Sequence, residues 1–413
     1  MREGHVTPWY ASRFTGLFTQ FGPVPPRPHD PALAVWAGTV PPGGGREQEL
    51  ATGGAGWNPE AAEAACVGEA LERLQAYPLP DDQTVRASWQ DWPLDEPAVE
   101  PAAWVLFHAE QYAQPGFPFQ PFGSATECDW VCCRHAVTGE PWWAPAEFVY
   151  LFARLGTRHR LCPSVSTGLS CGRCGDPVLL RGLQEVLERD GVLGAWWGRY
   201  PLEEWDAKEI FDLLGAEIAC RVSRPNLRYR FYRVASPFSA HVTAVTVEGE
   251  DREGYCFSIG SACRETRRAA WEKALLEALH GRHYVRHLKA SRSPQPIQEP
   301  ADFAEHARYY SLRPERLQET VLHRPTAPTA DRLPDREELP ALIERLGSRR
   351  PVLFRLMTPP AIAAEEPDWL TLKVLVPGLQ PLHGHHRFAH LGGPLWAPRG
   401  LAEHSRMPPH PFP

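Results

Sequence analysis

The chain has 413 residues, of which 43% are apolar and 23% charged, and its formal net charge is −7. This composition describes a folded protein with a hydrophobic core, and the acidic balance argues against nucleic-acid binding through a broad basic surface. No stretch approaches the ~18 apolar residues of a membrane span, and the first residues lack the apolar core of a secretion signal. The ten cysteines are therefore expected as reduced thiols in a cytoplasm. Lysine is scarce, limited to Lys208, Lys273, Lys289 and Lys373.

In chain order, residues 37–56 are rich in Gly and Pro and read as loop, with the run Gly43-Gly-Gly45 and the segment Thr52-Gly-Gly-Ala-Gly56. A helix is predicted over 58–76, with Asn58 as N-cap, Pro59 in the first turn and Glu60 at the positive end of the dipole. Pro78 to Pro101 is a Pro- and acid-rich connector. Residues 102–108 and 146–153 read as strand or short helix. Ser166-Thr-Gly-Leu-Ser-Cys-Gly172 is a small-residue loop, followed by a helix capped by Asp176 and running to about Asp190. Residues 228–247 are rich in Tyr, Phe, Val and Thr, with some alternation, and read as strands. Gly260-Ser-Ala-Cys263 opens a third unit, whose helix covers about Thr266 to Leu288. Residues 290–301 and 323–337 are connectors, 351–357 and 370–376 are strands, and the tail Met407-Pro-Pro-His-Pro-Phe-Pro413 is extended.

The three helices share a pattern. They carry Glu69-Ala-Leu-Glu72-Arg73, Glu185-Val-Leu-Glu188-Arg189 and Glu277-Ala-Leu-His280 with Arg282 just after, each behind a small-residue segment. Residues three apart share a helix face, and two carboxylates so placed repel unless a cation lies between them. Magnesium suits such a pair, because it takes carboxylate, water and phosphate oxygens, and a neighbouring Arg offers a planar fork to phosphate. A single Glu-x-x-Glu-Arg is usually a solvated, salt-bridged face; repetition behind Gly-containing segments favours the metal reading. No Gly-x-x-x-x-Gly-Lys-Ser/Thr phosphate loop is present.

These segments, in this order, together with Leu375-Val-Pro-Gly-Leu379, resemble the YcaO family over most of the chain. The resemblance implies an α/β (mixed α+β) fold of repeated loop–helix units and mixed sheets around a central ATP/Mg cleft. It implies a single domain over 1–413, with subregions 1–160, 161–290 and 291–413. Glu69, Glu72, Glu185 and Glu188 would hold Mg2+ and phosphate. Ser170 and Arg189 would line the ATP site, and Glu277, His280 and Arg282 would join it from the third helix. The sequence departs from the family pattern at Arg173, Pro177 and His280, positions that bear on the nucleotide contacts. In the family reaction a substrate Cys, Ser or Thr attacks the preceding carbonyl, ATP phosphorylates the oxyanion, and loss of phosphate leaves a thiazoline or oxazoline.

The ending Pro409-His-Pro411-Phe-Pro413 resembles the Pro-x-Pro-x-Pro tail of azoline-forming members, which gives Pro409, Pro411 and Pro413 a role in the active site. The implied partners are a precursor peptide, a separate leader-binding protein like a ubiquitin-activating enzyme, and a flavin-dependent azoline dehydrogenase. The assembly would be a homodimer or hetero-complex, with neither nucleic acid nor membrane. Thioamide or amidine formation and a non-catalytic peptide-binding scaffold are the competing functions. Cys171-Gly-Arg-Cys174 has the spacing of half a zinc site, but its place in the loop favours close packing. His383-Gly-His-His386 reads as an exposed loop after a strand, and Trp142-Trp143 and Trp196-Trp197 as core.

Overall fold

A computed structural model describes residues 18–41, 49–79, 82–151, 160–293, 295–329, 333–365, 367–396 and 399–413. The chain forms two compact units. The first is built from Leu33–Val186, Gly347–Leu379 and the described part of Met1–Pro25; the second comprises Pro26–Ala32, Leu187–Leu346 and Gln380–Pro413.

The first unit has two sheets. Gln20–Pro23, Ala34–Val40 and Leu50–Gly56 form an antiparallel three-stranded sheet, in register from Ala34 opposite Gly56 to Val40 opposite Leu50. The larger sheet orders Thr84–Ala87, Cys128–His135, Leu353–Leu356, Trp369–Leu375 and Leu169–Arg173, with Pro141–Pro145 also paired to Cys128–His135. The first motif helix, Pro59–Gln75, starts as its sequence dictates, with the Asn58 side chain accepting from the Ala61 N–H. Its buried residues include Ala62, Cys66, Val67, Ala70 and Leu71 at helical spacing, and Val67, Ala70 and Leu71 cluster with Phe18, Val40 and Trp369.

The second unit carries an antiparallel sheet ordered Gly254–Cys263, Val242–Asp251, Arg228–Val234, Leu202–Trp205. The third motif helix, Arg267–Ser291, is capped by Thr266, which accepts from the Ala269 N–H. It buries Ala270, Trp271, Ala274, Leu275, Ala278 and Leu279. The helix Phe303–Leu312 adds Ala304 and Ala307 to a cluster with Cys256, Val285 and Leu288. Arg286 in the third motif helix is buried and donates to both oxygens of Asp30, at 2.7 and 2.8 Å, a bidentate pair that satisfies both charges.

Several expectations change. The reading of 37–56 as loop is wrong, because Ala34–Val40 and Leu50–Gly56 are strands; the Gly43 run lies outside the described residues. Leu169 to Gly172 of the expected loop belong to the strand Leu169–Arg173, and the Gly260-Ser-Ala-Cys263 segment ends the strand Gly254–Cys263. The small residues serve packing. A Cβ at Gly54 would stand 2.2 Å from the Ala62 carbonyl oxygen, and one at Gly260 would stand 2.2 Å from the Ala278 nitrogen. In both places a helix lies directly on a strand, and only Gly admits it. The second motif helix, Val178–Trp196, continues six residues past the expected Asp190. Among the described residues no helix is long and apolar enough to cross a membrane.

Candidate active site: glutamates held by main-chain amides

Each of the four motif glutamates is fixed the same way. In the first unit, Glu69 Oε2 accepts from the Gly53 N–H at 2.8 Å, and Glu72 Oε1 accepts from the Cys171 N–H at 2.9 Å. Glu185 Oε2 accepts from the Gly168 N–H at 3.2 Å. In the second unit, Glu188 is buried and accepts from the Ser261 hydroxyl at 2.6 Å and the Cys263 N–H at 3.2 Å. A carboxylate offers about four lone-pair directions, so one or two such bonds orient the group while leaving capacity for a cation. The donors come from the small-residue strands and, for Gly168, from the turn just before Leu169–Arg173. Gly168 itself has φ of +85°, and a Cβ there would meet the Val374 carbonyl oxygen at 2.1 Å.

The first-unit carboxylates perturb one another. Burial first, and then the charge of Glu185, push the Glu72 carboxyl up to about 8. Lys373, absent from the expected site, lies in the same surroundings. Its ammonium is fully buried and donates to the carbonyls of Val165 at 2.9 Å and Thr167 at 2.8 Å. Burial pulls it down to about 8, against the favourable charge of Glu185. A lysine inside the apolar strand Trp369-Leu-Thr-Leu-Lys373-Val-Leu was the signal available in the sequence.

These directions fix a pH dependence. Folded Glu72 binds its proton more tightly than at its ordinary value of 4.5, so its contribution to stability is full below that value and is lost as pH rises through about 8. Lys373 acts in the opposite sense, its cost being relieved only between about 8 and its ordinary 10.5. Buried histidines such as His306, held down to about 3, add stability as pH rises to about 6.5, so the loss due to Glu72 in the metal-free protein is expected between about pH 6.5 and 8. Urea midpoints across that range should fall in the native protein and flatten in Glu72→Gln; parallel slopes would deny Glu72 this part.

The other expected site residues are placed as follows. Arg73 lies 3.5 Å from Glu69, and Arg189 lies 3.6 Å from Glu188. Glu277 pairs with Lys273; burial opposes its charge, but Lys273 and then His280 hold its carboxyl well below the usual range. His280 is half-buried. Arg282 is buried and donates to the Cys256 carbonyl at 3.2 Å. Ser170 is buried and gives its hydroxyl to the Val178 carbonyl at 2.9 Å, tying its strand to the second motif helix.

The tail forms neither helix nor strand, and Pro409 through Phe412 are buried. The Tyr310 hydroxyl donates to the Pro409 carbonyl at 2.6 Å, and Trp196 Nε1 donates to the Pro408 carbonyl at 2.9 Å. His410 lies within electrostatic reach of Arg189. His383 and His386 are buried, so the exposed-loop reading of that segment is overturned. Cys171 and Cys174 belong to none of the metal-competent groups among the described residues; all ten cysteines are free thiols.

Paired carboxylates on helices, held by main-chain amides and accompanied by arginine, are a hard-oxygen donor set of the kind that divalent cations take. The model of the YcaO family, described as YcaO cyclodehydratase, ATP- and Mg2+-binding, matches residues 53–380, and the chain belongs to that family. Among curated proteins none matches it in sequence. Among solved structures it is similar to a heterocyclase in complex with substrate and cofactor (17% identity, TM-score 0.70), over 96% of this chain and 55% of that one. The YcaO protein of Methanopyrus kandleri bound with AMPPCP and Mg2+ is similar at 20% identity and TM-score 0.58, over 89% and 87% of the two chains. The microcin synthetase McbBCD complex of E. coli is similar at 13% identity and TM-score 0.62, over 95% and 96%. This chain thus spans about half the length of the first of these.

Proposed function

We propose that this protein forms thiazoline or oxazoline rings from Cys, Ser or Thr in a ribosomally made peptide, consuming ATP. The observation that carries this reading is the set of four glutamates, each held in place by main-chain or hydroxyl donors. The donor chemistry fits Mg2+: hard oxygens at helical i, i+3 spacing, with Glu72 so crowded by burial and by Glu185 that it resists ionisation until a cation compensates it. Glu69, Glu72, Glu185 and Glu188 would hold the metal. Arg189, with Glu277, His280 and Arg282 of the third motif helix, would border the nucleotide; Ser170 supports that site from within the strand. Bound ATP supplies the phosphoryl group that turns an amide oxygen into a leaving group, and Mg2+ neutralises its phosphates.

The attacking group belongs to the peptide, so the chain needs no nucleophile of its own. Its task is to hold donors and charges in fixed positions, which the main-chain pins do without relying on flexible side chains. The tail residues Pro409, Pro411 and Pro413 serve as a rigid positioning segment. The buried path of the tail and its nearness to Arg189 support that role. A separate leader-binding partner presents the peptide, and a flavin-dependent dehydrogenase can follow to oxidise the ring.

The test is mass spectrometry of a Cys/Ser/Thr-rich precursor incubated with the chain, ATP and Mg2+, with and without the leader-binding partner. Loss of one water per ring, matched by ADP and phosphate release and accelerated by the partner, is expected. Full-rate cyclisation by the chain alone would refute the partner requirement. Binding of peptide without ATP consumption would make the protein a scaffold, and exchange of oxygen for sulfur in a parallel incubation supplied with sulfide would make it a thioamide-forming enzyme.

A further inference from the structure

Five of the buried histidines gather in the second unit, away from any role given to them above. They come from four places in the sequence: His306 on the helix Phe303–Leu312, His383 and His386 just before and within the turn His386–Phe388, His404 ending the helix Leu401–His404, and His410 in the tail. The ligating nitrogens of His306, His383 and His410 lie within 4.8 Å of one another, as do those of His383, His386 and His404.

Packing alone does not account for this group. A buried imidazole nitrogen without a partner costs free energy, yet His306 Nε2, His410 Nδ1 and both nitrogens of His383 are buried without one. The tautomers of two rings are already set. His306 Nδ1 faces the His410 carbonyl at 2.6 Å, and His410 Nε2 faces the His383 carbonyl at 2.8 Å. A carbonyl only accepts, so each of these nitrogens carries the hydrogen and the other ring nitrogen presents a lone pair. That arrangement, a backbone carbonyl holding the far N–H, is how metal-ligating histidines are oriented. Burial also keeps the rings neutral: it lowers His306 to about 3 and drives His383 and His410 well below their usual value.

We propose that His306, His383 and His410 form a binding site for a divalent transition metal of the zinc class. Three neutral imidazole nitrogens are a zinc-type donor set, unlike the all-oxygen set of the glutamates. Zinc–nitrogen bonds of about 2.0 Å place ligand atoms about 3.3 Å apart in a tetrahedron, so the nitrogens, all within 4.8 Å of one another, draw together on binding, and the His306 and His410 rings, stacked with centroids 3.9 Å apart, tilt toward the ion. His386 and His404, the rest of the second triad, stack on one another with centroids 4.6 Å apart and wall the site. Because His410 lies between Pro409 and Pro411, the ion ties the tail to the helix Phe303–Leu312 and to the segment before His386. The site draws on no residue of the proposed Mg2+ and ATP set.

The test uses the full chain without peptide or nucleotide, so its outcome is separate from that of the proposed activity. After chelator treatment and gel filtration, Zn2+ should return to one equivalent per chain in the presence of excess Mg2+. Co2+ in its place should give the visible ligand-field bands of a tetrahedral nitrogen site, a reading that needs no variant. His383→Ala and His306→Gln should each lose the ion and the thermal stabilisation that Zn2+ confers, whereas His390→Gln, a buried histidine outside both triads, should keep them. Failure of the native protein to take up Zn2+ or Co2+ would overturn the proposal. So would a cobalt spectrum dominated by thiolate charge transfer, retention of the ion in both ligand variants, or loss that follows His404→Gln but not His306→Gln.

Discussion

Replacing Glu185 with Gln is expected to lower Mg2+-dependent ATP affinity by about a hundredfold or more, roughly 2.7 kcal/mol, with the fold preserved. Gln keeps an oxygen to accept from the Gly168 N–H and nearly the same volume, but it removes the charge that a magnesium ion would meet. Two effects on the metal-free protein oppose each other. Glu72 loses a repelling neighbour, and Lys373 loses an attracting one, so thermal stability should stay close to that of the native chain. Glu188→Gln should also abolish nucleotide binding, at a further cost. Both Glu188 oxygens accept hydrogen bonds; the amide keeps its oxygen on the Cys263 N–H and can donate to the Ser261 hydroxyl, which also accepts, so the cost is the weakening of charge-assisted bonds, about 1 kcal/mol. Calorimetric titration with Mg·ATP beside thermal melts separates the two effects. Native-like affinity and turnover in folded Glu185→Gln would remove the metal assignment.

Deleting Pro409 to Pro413 is expected to eliminate nearly all ring formation while changing ATP affinity much less. Proline fixes φ, so the segment is ordered at small entropic cost, and its Pro409 and His410 carbonyls are held by Tyr310 and His306. Displacement of a positioned group by about 1 Å can cost on the order of a hundredfold in rate. The deletion also removes the buried Phe412, which packs against Trp196 at a centroid distance of 6.3 Å, so some stability must go with it. Phe412→Ala is the companion variant: it loses about 3 kcal/mol or more of packing but keeps the prolines. If ring formation in the two variants follows their melting temperatures alone, the tail is structural packing and has no positioning role.

The legible parts of this fold were those encoded locally. Asn58-Pro59 and Thr266 announce their helices through cap chemistry that needs only a few neighbouring residues, and both helices begin where expected. The strands Leu353–Leu356 and Trp369–Leu375 show as apolar runs. The strands Leu50–Gly56, Leu169–Arg173 and Gly254–Cys263 were hidden for the opposite reason. Their Gly and Ser content opposes strand propensity, and it is present because a helix rests on them, a fact about residues distant in sequence. The glutamates could be listed from their repeat, but their amide partners at Gly53, Gly168, Cys171 and Cys263 could not, since main-chain hydrogen bonds across tens of residues leave no mark in a sequence. Lys373 and the five histidines were hard to find for the same reason: burial decides their chemistry, and burial is a property of the assembled chain.

The way the glutamates are held has a consequence for how such a protein can diverge. A main-chain N–H is supplied by every residue except proline, so the identity of the donor residue matters little wherever the space around it is open. Where Cys171 and Cys263 stand, a lineage could exchange one small side chain for another and keep the carboxylate in place. The glutamate on the other side of each bond has no such freedom. A site built on this asymmetry can drift through most of its surroundings while a handful of acidic positions stay fixed, and its ancestry becomes hard to read from overall identity long before its chemistry changes.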